Sequence, residues 1–289
     1  MQTDRYRLAL ILVIASSIGN SGSGLIVRSM DSADAWQIIF YRSCFLTVSL
    51  GIVFAVQSGW RVRAALRVLR PWALLGSVCI ASVNTCFILA LTYTTVANTM
   101  FLMSAAPFFA ALLGWLVLGE RVERGVWLAM GVALVGMGVM VWDGLGAGTL
   151  LGNALAVTTA FSFGAFVVIL RKGRAANMLP IVILGTVLAA VNAAVLGGWA
   201  FSISYHDVAL LFFWGALLAG TVHAIFTWAS RYVPGAELTL LVLIEFILAP
   251  LWVWLVIDER PSVATLIGGS LVIAAVASRA IGSLRAQMR

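Results

Sequence analysis

The sequence predicts an all-α integral membrane protein with ten transmembrane helices, arranged as two inverted five-helix repeats. Of its 289 residues, 62% are hydrophobic and only 10% are charged, whereas a soluble domain is roughly a quarter charged. Apolar runs long enough to cross a bilayer follow one another through short connections. One of these runs is repeated about half a chain later with a similar residue pattern.

The repeated run covers residues 93–121 and returns at 232–260. In both copies a tyrosine precedes the glutamate of a closing Glu-Arg pair by 27 positions, and the two copies are offset by 139 residues. Each copy is too long and too apolar for an exposed soluble helix, so both are predicted to cross the membrane. We therefore place one repeat at residues 1–143 and the other at 144–289, joined in a single membrane-embedded unit.

Ten apolar runs reach the length of about 20 residues that a membrane-crossing helix needs. They cover residues 8–27, 35–56, 72–92, 96–118, 126–142, 150–170, 179–201, 208–229, 236–257 and 263–281. The first run follows Arg5 and Arg7 and so imitates a signal peptide. Because it continues to Val27 without a convincing cleavage site, we expect it to be retained as the first helix.

The basic residues predict the orientation of these helices. With the N-terminus in the cytoplasm, the cytoplasmic segments hold 15 of the 18 lysine and arginine residues, the other side holds Arg28 and Arg260, and Arg42 lies within a span. This bias predicts that both termini are cytoplasmic. An odd number of helices per half then inverts one half, an arrangement that places a substrate site near the membrane midplane. The arginine-rich, lysine-poor composition favours a bacterial inner (plasma) membrane.

Each half also opens a long apolar helix on a small residue, Ala97 or Ala236, and closes it on Gly-Glu-Arg at 119–121 or Asp-Glu-Arg at 258–260. With a glycine- or alanine-rich fifth helix in each half, this pattern resembles the drug/metabolite transporter superfamily, most closely its EamA-type ten-helix exporters. The resemblance implies export of amino acids or related metabolites through a central cavity lined mainly by helices 1, 3, 4, 6, 8 and 9. Neutral and aromatic amino acids are favoured. The first span lacks the glutamate that multidrug relatives use. Sugar-phosphate relatives use buried basic residues, whereas the one lysine of this chain lies in a loop, so cationic drugs and strongly anionic substrates are disfavoured.

Four polar residues lie near the middle of predicted spans, where polar groups are costly and usually face a cavity or a partner. Glu245 is a candidate for holding a substrate ammonium or a coupling proton, and equally for joining helices as a neutral carboxyl. His223 is a second candidate for proton coupling, with hydrogen-bonded packing as its alternative. Asn84 aligns with His223 at the 139-residue offset, so the two are expected to meet near the two-fold axis. Asn20 lies in a small, polar run that favours a cavity wall, although either asparagine can instead bond across helices.

A second group of candidates lies near span ends. Asn98 and Phe101 open the fourth span on one face, being three residues apart. With Tyr93 and Trp228 they are candidates for an amphipathic pocket around an aromatic or aliphatic side chain. The alternative for Trp228 is an anchor in the membrane interface, where tryptophan is enriched.

Arg42 and two prolines are expected to shape the helices. Arg42, about 12 Å into the second span at 1.5 Å per residue, either binds a carboxylate or snorkels outward to pair with Asp34 or a backbone carbonyl. The structural role is favoured. Pro107 and Pro250 interrupt the fourth and ninth spans and are hinge candidates, because each removes a backbone hydrogen bond.

Small residues form seams in the fifth and tenth spans. The residues are Gly131, Gly136 and Gly138 in the fifth span, and Ser270, Ala274, Ser278 and Gly282 in the tenth. Such seams allow close helix packing. The two helices can pack on each other within the chain, or form a homodimer interface; a monomer is equally compatible with the sequence.

The motifs of soluble catalysis are missing. There is no His-Glu-x-x-His zinc motif, phosphate-binding Gly-Lys loop or nucleophile elbow, so we expect no metal, no cofactor and no catalytic residues. The basic residues lie between spans and form no nucleic-acid patch; the expected partners are the lipid bilayer and a small-molecule substrate. The hypothesis is a secondary transporter that exports small amphiphilic metabolites, neutral or aromatic amino acids foremost, by alternating access. The alternative is an intramembrane enzyme or a lipid head-group flippase or modification partner.

Overall fold

A computed structural model describes residues 2–59, 71–119, 124–146, 150–173, 177–199, 201–233 and 235–287. Within these ranges the chain is helical and contains no strand. We number the ten membrane helices α1 to α10 in chain order. They are α1 (Gln2–Asn20, continued by Ser23–Arg28), α2 (Ala35–Gln57), α3 (Pro71–Tyr93), α4 (Val96–Met103, continued by Ala106–Leu118), α5 (Arg124–Gly146), α6 (Leu150–Lys172), α7 (Leu179–Leu196), α8 (Tyr205–Phe212, Phe213–Ala219 and Gly220–Ala229), α9 (Gly235–Ile257) and α10 (Val263–Gln287).

These helices confirm the predicted fold class. In the described part of the chain, seven helices are long and apolar enough to cross a membrane, and they correspond to α1–α4 and α6–α8. The remaining three, α5, α9 and α10, each contain a shorter apolar stretch. The chain is therefore a multi-pass membrane protein with ten helices.

The helix pairings follow a two-fold pattern. α3 packs against α6 as α8 packs against α1, α4 against α6 as α9 against α1, and α3 against α7 as α8 against α2. α2 pairs with α7 and α5 with α10, each helix thus meeting its own counterpart. The hydroxyls of Thr47 and Thr186, which are 139 residues apart, lie 2.7 Å from each other. Two positions related by the repeat offset can touch only near the axis that relates them, so this bond marks that axis.

Two glycines at the same offset make equivalent close approaches. A Cβ added to Gly76 on α3 would lie 2.9 Å from the side chain of Ile181 on α7. A Cβ added to Gly215 on α8 would lie 2.7 Å from the carbonyl oxygen of Arg42 on α2. The 139-residue offset relates Gly76 to Gly215 and Arg42 to Ile181. The N-terminal half therefore has an arginine at the position where the C-terminal half has an isoleucine.

Three helices are interrupted near the centre of the molecule. α1 breaks at Ser21–Gly22, and α4 breaks at Ser104–Ala105. Pro107 lies in the first turn of the second part of α4, where proline is well tolerated, so the break precedes it instead of occurring at it. Pro250 lies inside an unbroken α9, which corrects the expected interruption there. The middle of α8 is wound as a π-helix, a feature frequent at functional sites.

Caps account for several helix boundaries. Asp34 and Gln37 form a capping box at the start of α2, and Ser204 caps α8 by accepting a hydrogen bond from the backbone N–H of Asp207. α7 ends at Leu196, five residues earlier than predicted, because Gly198 and Trp199 adopt positive φ angles of 66° and 59°. α8 correspondingly begins three residues earlier than the apolar run.

The fifth and tenth helices pack on each other, as one of the two alternatives held. A Cβ on Gly136 of α5 would lie 2.5 Å from the carbonyl oxygen of Gly268 on α10, so the glycine permits close contact there. Ser270 and Ala274 of α10 are exposed on another face. A homodimer through that face stays a prediction.

Candidate functional site

A cavity of about 100 Å³ lies at the centre of the bundle. Space of this size holds roughly seven to ten waters, or a metabolite of about ten non-hydrogen atoms. Its wall is formed by Asn20 of α1, Arg42 of α2, Ile80, Val83 and Phe87 of α3, Met103 of α4, Phe163 and Phe166 of α6, Val222, His223, Phe226 and Thr227 of α8, and Val242, Glu245 and Phe246 of α9. These are the six helices implied by the resemblance, with α2 added through Arg42.

The polar side of the cavity joins α1 to α9. Asn20 donates from Nδ2 to Oε1 of Glu245 at 2.6 Å, and Glu245 is only 6% exposed. One residue beyond Asn20, where α1 breaks, Ser21 accepts a hydrogen bond from Nε1 of Trp252 at 2.9 Å. The small residues around the break allow α1 to approach α9 closely, which places both predicted cavity residues, Asn20 and Glu245, side by side.

Arg42 lies in the same wall and is 5% exposed. Its Nη1 donates to Oδ1 of Asn84 at 2.5 Å, and its guanidinium carbon lies 4.3 Å from the centre of the Trp214 ring. The expected outward pairing with Asp34 is wrong, because Asp34 caps α2 instead. Asn84 is correspondingly a partner of Arg42 and not part of the cavity wall.

His223 lines the cavity from the turn that follows the π-helical segment of α8. Its Nδ1 lies 2.8 Å from the backbone oxygen of Ala219. In a neutral ring this contact assigns the proton to Nδ1 and leaves Nε2 as an acceptor. In the described part of the chain His223 and Asn84 form no hydrogen bond to each other, and the side-chain oxygen of Asn84 accepts from Arg42 instead. Their predicted meeting near the two-fold axis stays a prediction.

Four candidates from the sequence lie away from the cavity. Asn98 joins a buried polar network and donates from Nδ2 to Oδ1 of Asn153 at 3.2 Å. It also accepts from the hydroxyl of Thr265 on α10, and Phe101 packs on Gly269 one turn further along α10. The two residues do share a face, as predicted, but that face contacts α6 and α10. Their role in binding a substrate stays a prediction.

The other two displaced candidates lie at helix ends. Tyr93 is 52% exposed at the end of α3, and Trp228 packs against Tyr232 with ring centres 5.0 Å apart. Neither residue, nor Asn98 or Phe101, is among those that line the central cavity. The end position of Trp228 agrees with the alternative of an interfacial anchor.

Most apolar residues of the cavity wall were not predicted from the sequence. Five phenylalanines line the cavity: Phe87, Phe163, Phe166, Phe226 and Phe246. Helical spacing was the available signal, because residues three or four apart share a face. Val242 precedes Glu245 by three positions and Phe246 by four. The position of one buried acid therefore already indicated which face of α9 points toward the cavity.

On the face of the bundle opposite the N-terminus, Glu259 lies just beyond the end of α9 and contacts two other helices. Its Oε2 pairs with Nε of Arg28 at 2.9 Å, and its Oε1 accepts from the backbone N–H of Val96 at 2.8 Å. Arg28 also donates from Nη2 to the backbone oxygen of Thr94 at 3.0 Å. One carboxylate thus joins the ends of α1 and α9 to the start of α4. The neighbouring Arg260 pairs with Asp258 instead; residues 120–121 of the other copy lie outside the described residues.

A second carboxylate lies on the same face. Asp207 is fully buried and accepts four hydrogen bonds from the α1–α2 connection: the backbone N–H groups of Asp31, Ser32 and Ala33, and the Ser32 hydroxyl. His206 lies 3.2 Å from a carboxylate oxygen of Asp31 and 3.5 Å from one of Asp207. Asp31, His206 and Asp207 are close enough together to hold a metal ion. Through these four hydrogen bonds, Asp207 attaches the α1–α2 connection to the start of α8.

Comparison with known proteins supports the predicted resemblance. Residues 7–142 match the EamA-like transporter family. This match confirms the predicted resemblance to EamA-type transporters of the drug/metabolite transporter superfamily.

Two relatives extend the likeness of this EamA-like protein beyond its N-terminal half. Both are named pseudopaline exporter CntI, from Pseudomonas aeruginosa strains UCBPP-PA14 and PAO1; each is 26% identical over 272 residues, covering 92% of this chain and 93% of its own. A crystal structure of an otherwise undescribed protein superposes with a TM-score of 0.66 at 18% identity, covering 94% of this chain and 96% of its own. That likeness shows a shared fold.

Proposed function

We propose that this EamA-like protein is a secondary transporter that exports small amphiphilic metabolites, with neutral or aromatic amino acids as its foremost substrates, by alternating access. The observation that carries the proposal is the central cavity, which combines a buried acid, an amide and an imidazole with an aromatic wall. Its wall is drawn from both halves of the chain, as expected for a substrate site between inverted repeats.

The two sides of the cavity suit the two ends of an amphiphile. Asn20 and Glu245 offer hydrogen-bond and charge partners for an ammonium group. Phe163, Phe166 and Phe226 offer an apolar surface for a side chain. Burying a side chain of phenylalanine or leucine size contributes about 1.5–3 kcal/mol, so the apolar wall favours neutral amino acids with large side chains over small polar ones.

Transport is favoured over catalysis by the family and by the composition of the cavity. The family is one of transporters, and the two relatives from Pseudomonas aeruginosa are named exporters. Among the described residues, the titratable groups of the wall are Arg42, His223 and Glu245. They lack the clustered acids or histidines that intramembrane catalysis or lipid head-group chemistry would use, which is why we place that alternative second and propose no enzyme activity.

We further propose how the cycle runs. The arginine bias places the N-terminal face in the cytoplasm of a bacterium, so Glu259 and Asp207 close the external face. Residues 1–143 and 144–289 are the moving units, and the external contacts separate when the cavity opens outward. The breaks of α1 and α4 beside the cavity are suited to absorb the movement.

Glu245 is proposed as the proton-coupling residue, with His223 as the second group. Glu245 accepts a hydrogen bond from Asn20 of α1, and it lines the same cavity as Arg42 of α2 and His223 of α8. A carboxyl held away from bulk water binds either a proton or a cationic partner, because an unpaired buried charge is costly. Exchange between proton and substrate ammonium on Glu245 would link export to the proton gradient.

The direct test is counterflow of labelled phenylalanine and leucine into proteoliposomes that contain the purified protein. We expect uptake by the wild type, and its loss in Asn20→Ala and His223→Ala at unchanged expression and monodispersity. Thr158→Ala is the matched control, since this exposed threonine of α6 bonds only within its own helix. Chemical conversion of an added solute without flux would instead support the enzyme alternative.

A further inference from the structure

Arg42 is a buried charge that the helix packing does not require. It is 5% exposed on a membrane helix, where charged groups are rare and usually functional. Its counterpart in the other half is Ile181, which packs against Gly76 as Arg42 packs against Gly215. The same glycine-mediated approach is therefore made with an apolar residue at the equivalent position.

Among the described residues, no carboxylate forms an ion pair with Arg42. A guanidinium has five N–H donors, and Asn84 is the hydrogen-bond partner found for it among the described residues. Its Nε is buried without a partner. Glu245 lines the same cavity, but it bonds to Asn20 and forms no ion pair with Arg42.

Two neutral groups hold the guanidinium without neutralising it. Asn84 donates from Nδ2 to the backbone oxygen of Ile80 at 2.9 Å, which fixes the amide so that its Oδ1 accepts from Arg42. Trp214, fully buried in the π-helical segment of α8, presents its ring to the guanidinium at 4.3 Å. An amide oxygen and a ring face orient a cation and leave its charge available to a ligand.

We propose that Arg42 is the specificity-determining residue of the cavity and binds a substrate carboxylate, with Asn84 and Trp214 as positioning residues. This rests on the proposed function and narrows its substrate class to carboxylate-bearing metabolites. A planar guanidinium is well suited to a carboxylate because it can donate two parallel hydrogen bonds. The amino group of the same substrate reaches Glu245 and Asn20, so that a zwitterion pairs with both of these parts of the cavity wall at once.

Binding to the purified protein in detergent tests this without relying on flux. Three probes share one phenyl ring: phenylalanine, phenylalaninamide, which lacks the carboxylate, and 3-phenylpropionate, which lacks the amine. The wild type is expected to bind phenylalanine most tightly and to bind 3-phenylpropionate measurably. Arg42→Ile, which copies the residue of the other half, is expected to weaken phenylalanine and 3-phenylpropionate by about 10- to 100-fold, the size of a lost charge-assisted bond. Phenylalaninamide is expected to change less than threefold.

Asn84→Asp is the second variant, because it keeps the shape of the side chain. The new carboxylate neutralises Arg42 and competes with the ligand, so binding of both carboxylates falls while phenylalaninamide binding is retained or improved. Arg260→Gln, an exposed arginine outside the cavity, is the charge-matched control. A purely structural role for Arg42 predicts equal losses for all three probes.

Unchanged binding of 3-phenylpropionate in Arg42→Ile or in Asn84→Asp overturns the proposal, and so do equal losses for the three probes. A wild type that binds no carboxylate overturns it as well, even where another solute is transported. Selective binding of carboxylates without flux in proteoliposomes would support carboxylate binding by Arg42 and contradict the proposed transport function. The two proposals can therefore fail independently.

Discussion

The contact of Glu259 with Arg28 and the start of α4 should control opening of the face opposite the N-terminus. We consider Glu259→Ala. The ion pair with Arg28 is partly buried, with side-chain exposures of 28% and 21%, and an ion pair of this kind contributes about 1 kcal/mol. The hydrogen bond that Glu259 accepts from Val96 N–H acts as a helix cap, which is worth about 1 kcal/mol. Their loss, about 2 kcal/mol, should raise the ratio of open to closed protein by roughly 30-fold.

Cysteine labelling measures this change. Met103 lines the cavity and is 7% exposed, so Met103→Cys reports on access from either face. In a background where Cys44, Cys79 and Cys86 are alanine, a membrane-impermeant maleimide is added to the face opposite the N-terminus. We expect about 30-fold faster labelling in Glu259→Ala, because labelling follows the open fraction.

Arg28→Ala and the neighbouring Arg260 complete the design. Arg28→Ala should accelerate labelling about fivefold to tenfold. The double variant with Glu259→Ala should be accelerated by clearly less than the product of the two single effects, because the two residues share one ion pair. Arg260→Ala should stay within twofold of the starting protein, since Arg260 pairs with exposed Asp258. Two results would contradict control of opening by this ion pair. One is that Arg260→Ala accelerates labelling as much as Glu259→Ala, and the other is that the effects of Arg28→Ala and Glu259→Ala are additive in free energy.

Three further predictions follow from single contacts. Glu245→Gln should keep counterflow while making net flux insensitive to a pH gradient, because the amide retains a bond to Asn20 but cannot exchange a proton; flux that still follows the gradient would count against coupling at this residue. Asp207→Asn should cost about 2–3 kcal/mol of stability, since one amide oxygen cannot replace a carboxylate that accepts four hydrogen bonds; an unchanged thermal unfolding midpoint in detergent would contradict this. Gly185→Ala should destabilise by about 1–3 kcal/mol, because its Cβ would lie 2.6 Å from Cβ of Ile80. Gly51→Ala, with nothing within 4 Å of its added Cβ, is the matched control and should melt at or above the midpoint of the unchanged protein.

The sequence determined the architecture because the membrane leaves few alternatives. A bilayer core sets the length of each apolar helix, and backbone groups must be satisfied within the helix. The ten runs were therefore readable without a structure. The repeat offset could also be identified from the sequence. The hydrogen bond between Thr47 and Thr186, which are 139 residues apart, shows that positions related by this offset meet in the folded protein.

The sequence also identified part of the cavity, namely the three mid-span polar residues Asn20, His223 and Glu245. Each is costly in a bilayer unless it faces a cavity or a partner, so depth alone singled them out. Depth does not tell which partner is met. Asn84 was expected near His223 but bonds to Arg42, and Asn98 was expected in a pocket but bonds to Asn153 and Thr265.

The rotation of each helix about its own axis, and the residue pairs that this rotation brings together, became known from the three-dimensional packing alone. In a lipid-exposed helix both faces are apolar, so periodicity does not distinguish the inward face as it does in a soluble protein. The packing of α2 against the π-helical segment of α8 turned Arg42 toward the cavity and onto Trp214. The meeting of Arg28 with Glu259 joins residues 231 positions apart. Such pairs depend on the whole bundle, because no local rule of length, charge or spacing relates one member to the other.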